Sequence, residues 1–295
     1  MKNVKAKTNE QIAMQVSANS IAVNLMLSIF KLIAGLMASS GAMISDAIHS
    51  ASDVFSTIIV IIGVKISGKA SDEDHPYGHD RFECVASIIL AILLGVTGVG
   101  IGLTGVQKLT AGHYDTLAVP GVLALAAAVI SIVVKEIMYW YTRNAAKKIN
   151  SGALMADAWH HRSDALSSVG SFVGILGARM GFPMLDPLAS VVICLFVVKA
   201  AVDIFRDAIS KMTDKSCDQE TVNEMHDCIM SIQGVEGIDL LKTRSFGSKY
   251  YVDIEIKADG DKKLWEAHAI AENVHHVIEH QFPLVKHCMV HVNPA

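Results

Sequence analysis

Residues 46–53 read DAIHSASD and residues 157–164 read DAWHHRSD, so one pattern, D-A-(I/W)-H-x-x-S-D, occurs twice in the chain. Each copy lies inside a long apolar stretch. Positions i, i+3 and i+7 of a helix lie on one face, so each copy would place a polar stripe along an otherwise apolar helix. The repeat predicts two membrane-spanning helices that carry one shared polar site.

Packed side by side, the two helices would bring together two imidazoles and two carboxylates, those of His49, Asp53, His160 and Asp164. This donor set suits tetrahedral coordination of a zinc-type divalent cation. A single H-x-x-x-D in a soluble helix is usually a solvated pair. Two copies inside apolar segments favour a metal site over a structural ion pair, because ionisable groups are costly there and mark ion pathways.

The first residue of each copy, Asp46 or Asp157, precedes its histidine by about one helical turn. Two roles are open for these carboxylates. They line the entrance for the cation, or they accept a hydrogen bond that orients a histidine. The histidines themselves are expected near the middle of the membrane, where a site for alternating access must lie.

The composition predicts a membrane domain followed by a smaller polar domain. The 295 residues are 52% hydrophobic, and the mean hydropathy is +0.40. Apolar runs continue to about residue 209, which predicts a transmembrane domain over 1–211 and a cytoplasmic domain over 212–295. The net charge of −4 is too small to indicate a nucleic-acid partner. Five cysteines, an odd number without C-x-x-C spacing, argue against a disulfide framework.

Six segments have about the ~20 residues that a bilayer requires. They are 13–36, 41–66, 83–106, 117–141, 152–180 and 184–209. Lysines and arginines concentrate in the N-terminal tail and in the loops after the second and fourth segments, whereas the opposite loops hold only Lys108 and Arg179. By the positive-inside rule, both termini are expected in the cytoplasm.

The loop after the second segment offers a further set of metal ligands. Asp72, His75 and His79 form the spacing D-x-x-H-x-x-x-H, with one carboxylate and two imidazoles. These residues predict a second metal site. The alternative is that an acidic loop attracts cations without binding them specifically.

The C-terminal part is predicted to be a small α/β domain. Helical patterns cover 218–233 and 262–281, and alternating patterns predict strands at Gly237–Arg244, Tyr250–Lys257 and Val285–Val292. The polar residues of this part that are candidate metal ligands are Asp239, Glu255, His268, His291 and Asn293. The histidines at 275, 276 and 280 are expected to be ordinary surface residues.

These motifs resemble those of the cation diffusion facilitator family, homodimeric antiporters of metal ions and protons. The resemblance covers essentially the whole chain, including the segment HPYGHDRFE that enters the third span. It implies six membrane helices and a C-terminal domain of the metallochaperone-like, ferredoxin-type fold. It also implies a transport site and a loop site, at His49, Asp53, His160 and Asp164 and at Asp72, His75 and His79, respectively.

The resemblance is weaker in the C-terminal domain. His268 and His291 match metal-binding histidines of related pumps, whereas Asp239, Glu255 and Asn293 stand where relatives often have His, His and Asp. A regulatory metal site in this domain would therefore use harder ligands than those of its relatives.

The function expected from these features is proton-coupled export of divalent cations across a bacterial cytoplasmic (inner) membrane by a lipid-embedded homodimer. The metal is substrate and regulator, no organic cofactor is implied, and the protein is not expected to be an enzyme. Two histidines and two aspartates favour zinc over manganese, and iron, cobalt and cadmium stay open. In the family that the chain resembles, histidine rather than aspartate at the position of His49 accompanies a preference for zinc over cadmium. The alternative is a membrane metalloprotein with a fixed metal, an enzyme or electron carrier, although the protease motif H-E-x-x-H is absent.

Overall fold

The computed structural model describes residues 8–37, 41–111, 122–179 and 185–295, and within its helices some side chains, including those of Asp46 and His49, lie outside the description. The chain divides into two compact units, Met1–Ala208 and Ile209–Ala295. The sequence places the domain boundary after residue 211, and the structure divides the chain after residue 208.

Within the described ranges, the first unit is built from six long helices, as predicted. They are α1 (Asn9–Met37), α2 (Gly41–Ser67), α3 (Phe82–Ala111), α4 (Val122–Ile149), α5 (Gly152–Arg179) and α6 (Leu185–Met212), whose last turn belongs to the second unit. Among the residues that the structure describes, two stretches, Asn9–Ala34 and Phe82–Thr110, are by length and composition long and apolar enough to cross a membrane. The two copies of the repeat lie on α2 and α5.

The fourth helix extends beyond its predicted end. Hydropathy predicts an end at residue 141, but α4 continues to Ile149 through a basic stretch with Lys147 and Lys148 in its last turn. Basic residues are favourable near a helix C-terminus, because they complement the helix dipole. Asn150, with φ of 54°, ends the helix. The Ser151 hydroxyl then accepts a hydrogen bond from the Leu154 amide at 3.2 Å and starts α5.

Close packing of the helices fixes the position of the repeat. The α2 helix packs against α1, α3 and α5, and α5 also packs against α3 and α4.

Glycines on α3 allow close packing against α6. A Cβ added at Gly98 would lie 2.8 Å from Val197 Cγ1, and one added at Gly102 would lie 2.5 Å from Cys194 Sγ. Small residues therefore let α3 approach α6 closely.

The second unit is the predicted small α/β domain. Its elements are α7 (Gln219–Met230), β1 (Gly237–Phe246), β2 (Lys249–Ala258), α8 (Leu264–Gln281) and β3 (Val285–Pro294). The strand order is β1-β2-β3, with β1 antiparallel and β3 parallel to β2. The succession of elements, αββαβ, is that of a ferredoxin-type βαββαβ domain without its first strand, and here β3 pairs directly with β2. Apolar residues of both helices, such as Ile229 and Ile278, pack with Ile254 and Ile256 of β2 into the core.

Candidate metal centre

The buried polar cluster of the helical unit joins the two copies of the repeat. Asp53 of α2 and His160 and Asp164 of α5 each offer one ligand atom, and these three atoms lie within 4.8 Å of one another. His160 Nε2 lies 3.4 Å from Asp53 Oδ1. The structure thus brings together three of the four predicted ligands of the transport site. His49 lies on α2 one turn before Asp53, and its side chain is outside the described residues.

A fourth group of this cluster, Lys135 of α4, is missing from the sequence prediction. Its Nζ donates hydrogen bonds to Asp53 Oδ2 and, at 2.9 Å, to Asp164 Oδ2. The Lys135 side chain is only 3% exposed. A signal was present, because a lysine in an apolar span is as costly as the aspartates that the repeat identified.

The charges of this cluster explain why the ammonium group lies there. Two carboxylates buried side by side repel each other strongly in a medium of low polarity. The ammonium of Lys135 cancels one of the two negative charges and satisfies one oxygen of each carboxylate. With neutral histidine the group keeps one net negative charge. The site therefore still attracts a cation, and a divalent ion would compete with Lys135 for the same oxygens.

Asp157, the first residue of the second copy, contacts a different histidine. Its Oδ1 accepts a hydrogen bond from the Thr57 hydroxyl at 3.3 Å, and its Oδ2 lies 3.5 Å from His161 Nε2. The Asp157 and His161 side chains are fully buried. Of the two roles left open, an entrance position does not fit this burial. The contact is with His161 rather than with the predicted ligand His160.

The loop after α2 gathers the second predicted set of ligands. Asp72, His75 and His79 each offer one ligand atom, and these three atoms lie within 4.8 Å of one another. His79 is buried, and its Nδ1 donates to the Ala70 carbonyl at 3.1 Å. In a neutral imidazole the other nitrogen, Nε2, then carries a lone pair. Nε2 lies 3.3 Å from Asp72 Oδ2, so a cation between them would relieve the repulsion of lone pair and carboxylate.

Asp72 is held in its ionised form. The His75 backbone amide donates to Asp72 Oδ1 at 2.7 Å. This hydrogen bond, opposed by slight burial and supported by the two histidines, lowers the pKa of Asp72. The loop therefore presents a charged oxygen ligand beside two imidazoles. This is the arrangement that a specific cation site needs.

The predicted ligands of the C-terminal domain form no single metal cluster within the described chain. The Asn293 amide donates to Asp239 Oδ2 at 3.0 Å and to Glu255 Oε2 at 3.3 Å, and Lys257 Nζ lies 2.8 Å from Asp239 Oδ1. The hydrogen bond from Lys257, with that from Asn293, lowers the pKa of Asp239.

The two histidines of that predicted set lie apart from this network. His268 lies exposed on α8, with Nε2 3.8 Å from Glu272 Oε1. His291 is the register partner of Glu255 across β2 and β3. Among the described residues, no ligand trio within 4.8 Å includes either histidine. A single chain therefore does not assemble the predicted regulatory site from these residues.

Comparison with known proteins identifies both units. The family model "Cation efflux transmembrane domain" matches residues 17–213, and "Cation efflux protein, cytoplasmic domain" matches residues 217–295. The manganese efflux system protein MneP of Bacillus subtilis is 33% identical over 296 residues, covering 98% of each chain. An uncharacterised transporter of Methanocaldococcus jannaschii is 36% identical over 274 residues, covering 93% of this chain and 95% of its own.

Metal tolerance protein C1 of Arabidopsis thaliana is also similar, with 33% identity over 281 residues. The match covers 91% of this chain and 60% of that longer protein. The predicted membership of the cation diffusion facilitator family is thereby confirmed. The chain belongs to the cation efflux family, and it is an integral membrane protein that transports divalent metal cations and is not an enzyme.

Proposed function

We propose that this transporter exports a zinc-type divalent cation from the cytoplasm in exchange for protons, and that Asp53, His160 and Asp164, with His49, bind the cation in transit. The observation that carries the proposal is the buried cluster in which these carboxylates and one imidazole converge. Buried ionisable groups of this kind inside a membrane protein mark the path of an ion. The exported metal is the substrate.

Exchange with protons follows from the chemistry of the ligands. Imidazole and carboxylate bind a metal only when deprotonated, so metal and protons compete for one site. In the inward-open state the cation displaces protons. After α2 and α5 have rearranged towards the outside, protons reload the ligands and the cation leaves. No covalent step is required.

Lys135 acts in this scheme as an internal counter-ion. Without metal, its ammonium lies between Asp53 and Asp164 and relieves their repulsion. An arriving divalent cation takes over this role, and the ammonium withdraws from the shared oxygens. When the cation leaves, Lys135 returns and favours release, because it competes for both carboxylates. A resident cation would not need a competitor, so Lys135 favours transport over a fixed-metal protein.

Zinc and manganese are the two substrates to separate. Two imidazoles with two carboxylates form a donor set that suits zinc. Manganese has its own support, because the similar protein MneP is named for manganese efflux and manganese prefers oxygen ligands. His49 is the ligand that distinguishes the two metals. With it, the site has the two nitrogen donors that suit zinc, and without it the site would hold two oxygens and one nitrogen.

The orientation and assembly complete the proposal. Both termini are proposed to lie in the cytoplasm, which the basic loops support by the positive-inside rule. The domain at 217–295, which matches the cytoplasmic domain of cation efflux proteins, is proposed to join two protomers in a homodimer. The protein is proposed to reside in a bacterial cytoplasmic membrane.

Uptake into vesicles that contain the purified protein tests the function. With an imposed pH gradient and Zn, Mn, Fe, Co and Cd in parallel, we expect zinc flux to exceed manganese flux at least about tenfold. His49→Asp should reduce this ratio, because it replaces a nitrogen ligand with oxygen. Bound metal that neither exchanges nor crosses the membrane would contradict export and favour the fixed-metal alternative. Flux that ignores the pH gradient would contradict antiport.

A specific loop site makes a separate prediction. In an Asp53→Asn background that removes the transport site, Asp72→Asn should weaken zinc binding to the loop at least about tenfold. The neighbouring Glu73→Gln removes the same charge from outside the cluster and should have little effect. Binding should also weaken as the pH falls, because protons compete with the metal for its ligands, whereas Asp72, with its lowered pKa, stays ionised. Equal effects of Asp72→Asn and Glu73→Gln would instead support non-specific attraction of cations.

A further inference from the structure

The C-terminal unit contains a cluster of histidines that the expected regulatory site does not include. His275 and Glu279 lie one turn apart on α8, and His287 lies near the start of β3. Each of the three residues offers one ligand atom, and these atoms lie within 4.8 Å of one another. Glu279 Oε1 is the shared centre, 3.4 Å from His275 Nε2 and 3.3 Å from His287 Nδ1.

The backbone of Cys288 holds both helical side chains in place. Its carbonyl accepts a hydrogen bond from His275 Nδ1 at 2.7 Å, and its amide donates to Glu279 Oε1 at 3.1 Å. The Cys288 side chain itself is buried in the domain core, so only its backbone reaches the cluster. Such contacts orient metal-binding imidazoles and carboxylates in known metal sites.

The hydrogen bond of His275 also determines what its second nitrogen can do. A carbonyl oxygen only accepts, so Nδ1 carries the proton, and in a neutral imidazole Nε2 is left with a lone pair. This lone pair lies 3.4 Å from the Glu279 carboxylate. Two electron-rich atoms at this distance repel each other unless a proton or a metal ion lies between them. The geometry therefore calls for a positive charge beside Glu279.

We propose that His275, Glu279 and His287 form a binding site for a zinc-type divalent cation in the C-terminal unit. Two imidazoles and one carboxylate are a donor set that zinc prefers, with a fourth position left for water or another ligand. The side chains are partly exposed, at 26%, 31% and 46%, so a cation can enter and leave. The site is separate from Asp239, whose carboxylate is already paired with Lys257.

Zinc titration of the full-length protein tests this site. We would use the variant Asp53→Asn with Asp72→Asn, which removes the charged ligand of both other proposed sites, and follow binding by calorimetry at pH 7.5. One equivalent of zinc per chain should still bind. His287→Ala, at a half-exposed position, and Glu279→Gln, which keeps an acceptor for the Cys288 amide, should each weaken this binding at least about tenfold.

His276→Ala is the matched control. His276 is adjacent to His275, but its Nε2 faces Glu272 at 3.5 Å, so its removal should leave zinc binding unchanged. The proposal is overturned if the background variant binds no zinc. It is also overturned if His287→Ala and Glu279→Gln bind zinc as the background does, or if His276→Ala loses as much affinity as they do. Because this background already lacks Asp53, the result does not depend on whether the transport proposal holds.

Discussion

Asp53→Asn is expected to reduce metal flux into vesicles by about two orders of magnitude or more. Loss of a group that only orients a ligand typically costs about 10–100-fold in metal affinity, and Asp53 is proposed as a ligand itself. Asparagine keeps the size of the side chain and an oxygen that can accept from Lys135, so the protein should still fold. The measurement is initial zinc uptake at a fixed pH gradient, normalised to the amount of protein inserted.

Glu136→Gln is the control for removal of a negative charge from this region. Glu136 follows Lys135 on α4, but it accepts a hydrogen bond from Trp140 and lies 3.9 Å from Arg162, outside the cluster. Its replacement should leave flux within about twofold of the wild-type value, as is usual for a surface pair of little energetic weight. Wild-type flux in Asp53→Asn would show that the cation does not pass through this cluster.

Lys135→Met is expected to destabilise the metal-free protein and to increase the stabilisation that metal provides. Removing one partner from a buried ionic group costs about 3–5 kcal/mol. For a domain of about 200 residues this lowers the melting temperature by roughly 6–20 °C. A bound divalent cation replaces the missing charge, so zinc should raise the melting temperature more in this variant than in the wild type. Flux should fall, because the site then has no internal competitor to promote release.

The double variant Asp53→Asn with Lys135→Met separates stability from transport. It removes one charge of each sign, so the melting temperature without metal should recover most of the loss seen in Lys135→Met. Flux should stay as low as in Asp53→Asn. A wild-type melting temperature together with wild-type flux in Lys135→Met would contradict the role of Lys135 as counter-ion.

The six helices and the α/β unit were predictable because their signals are local. Apolar runs give the approximate bounds of a span, and alternation gives the strands of the second unit. The true end of α4 was not predictable in this way. Hydropathy detects the apolar part of a helix, whereas α4 continues through Lys147 and Lys148 to the left-handed Asn150.

The site could be predicted only where the repeat marked it. The proximity of Asp53 and Asp164 follows from two copies of one pattern. Lys135 belongs to no motif, and its helix, α4, lies between α2 and α5 only in the order of the sequence. Similarly, the contact of His275 and Glu279 with His287 depends on how α8 packs beside β3. The sequence shows exposed histidines on a helix, and it does not show which strand residue lies opposite them.

The short connection between α4 and α5 has a mechanical consequence. Only Asn150 and Ser151 join the two helices, and two residues span at most about 7 Å even when fully extended. The helices therefore behave as one stiff hairpin, and Lys135 and Asp164, on its two arms, keep their spacing as it moves. Asp53 lies on α2, outside this hairpin. Separation of α2 from the hairpin is thus the motion expected to break the cluster, because it takes Asp53 away from Lys135 and Asp164, whose spacing the hairpin keeps.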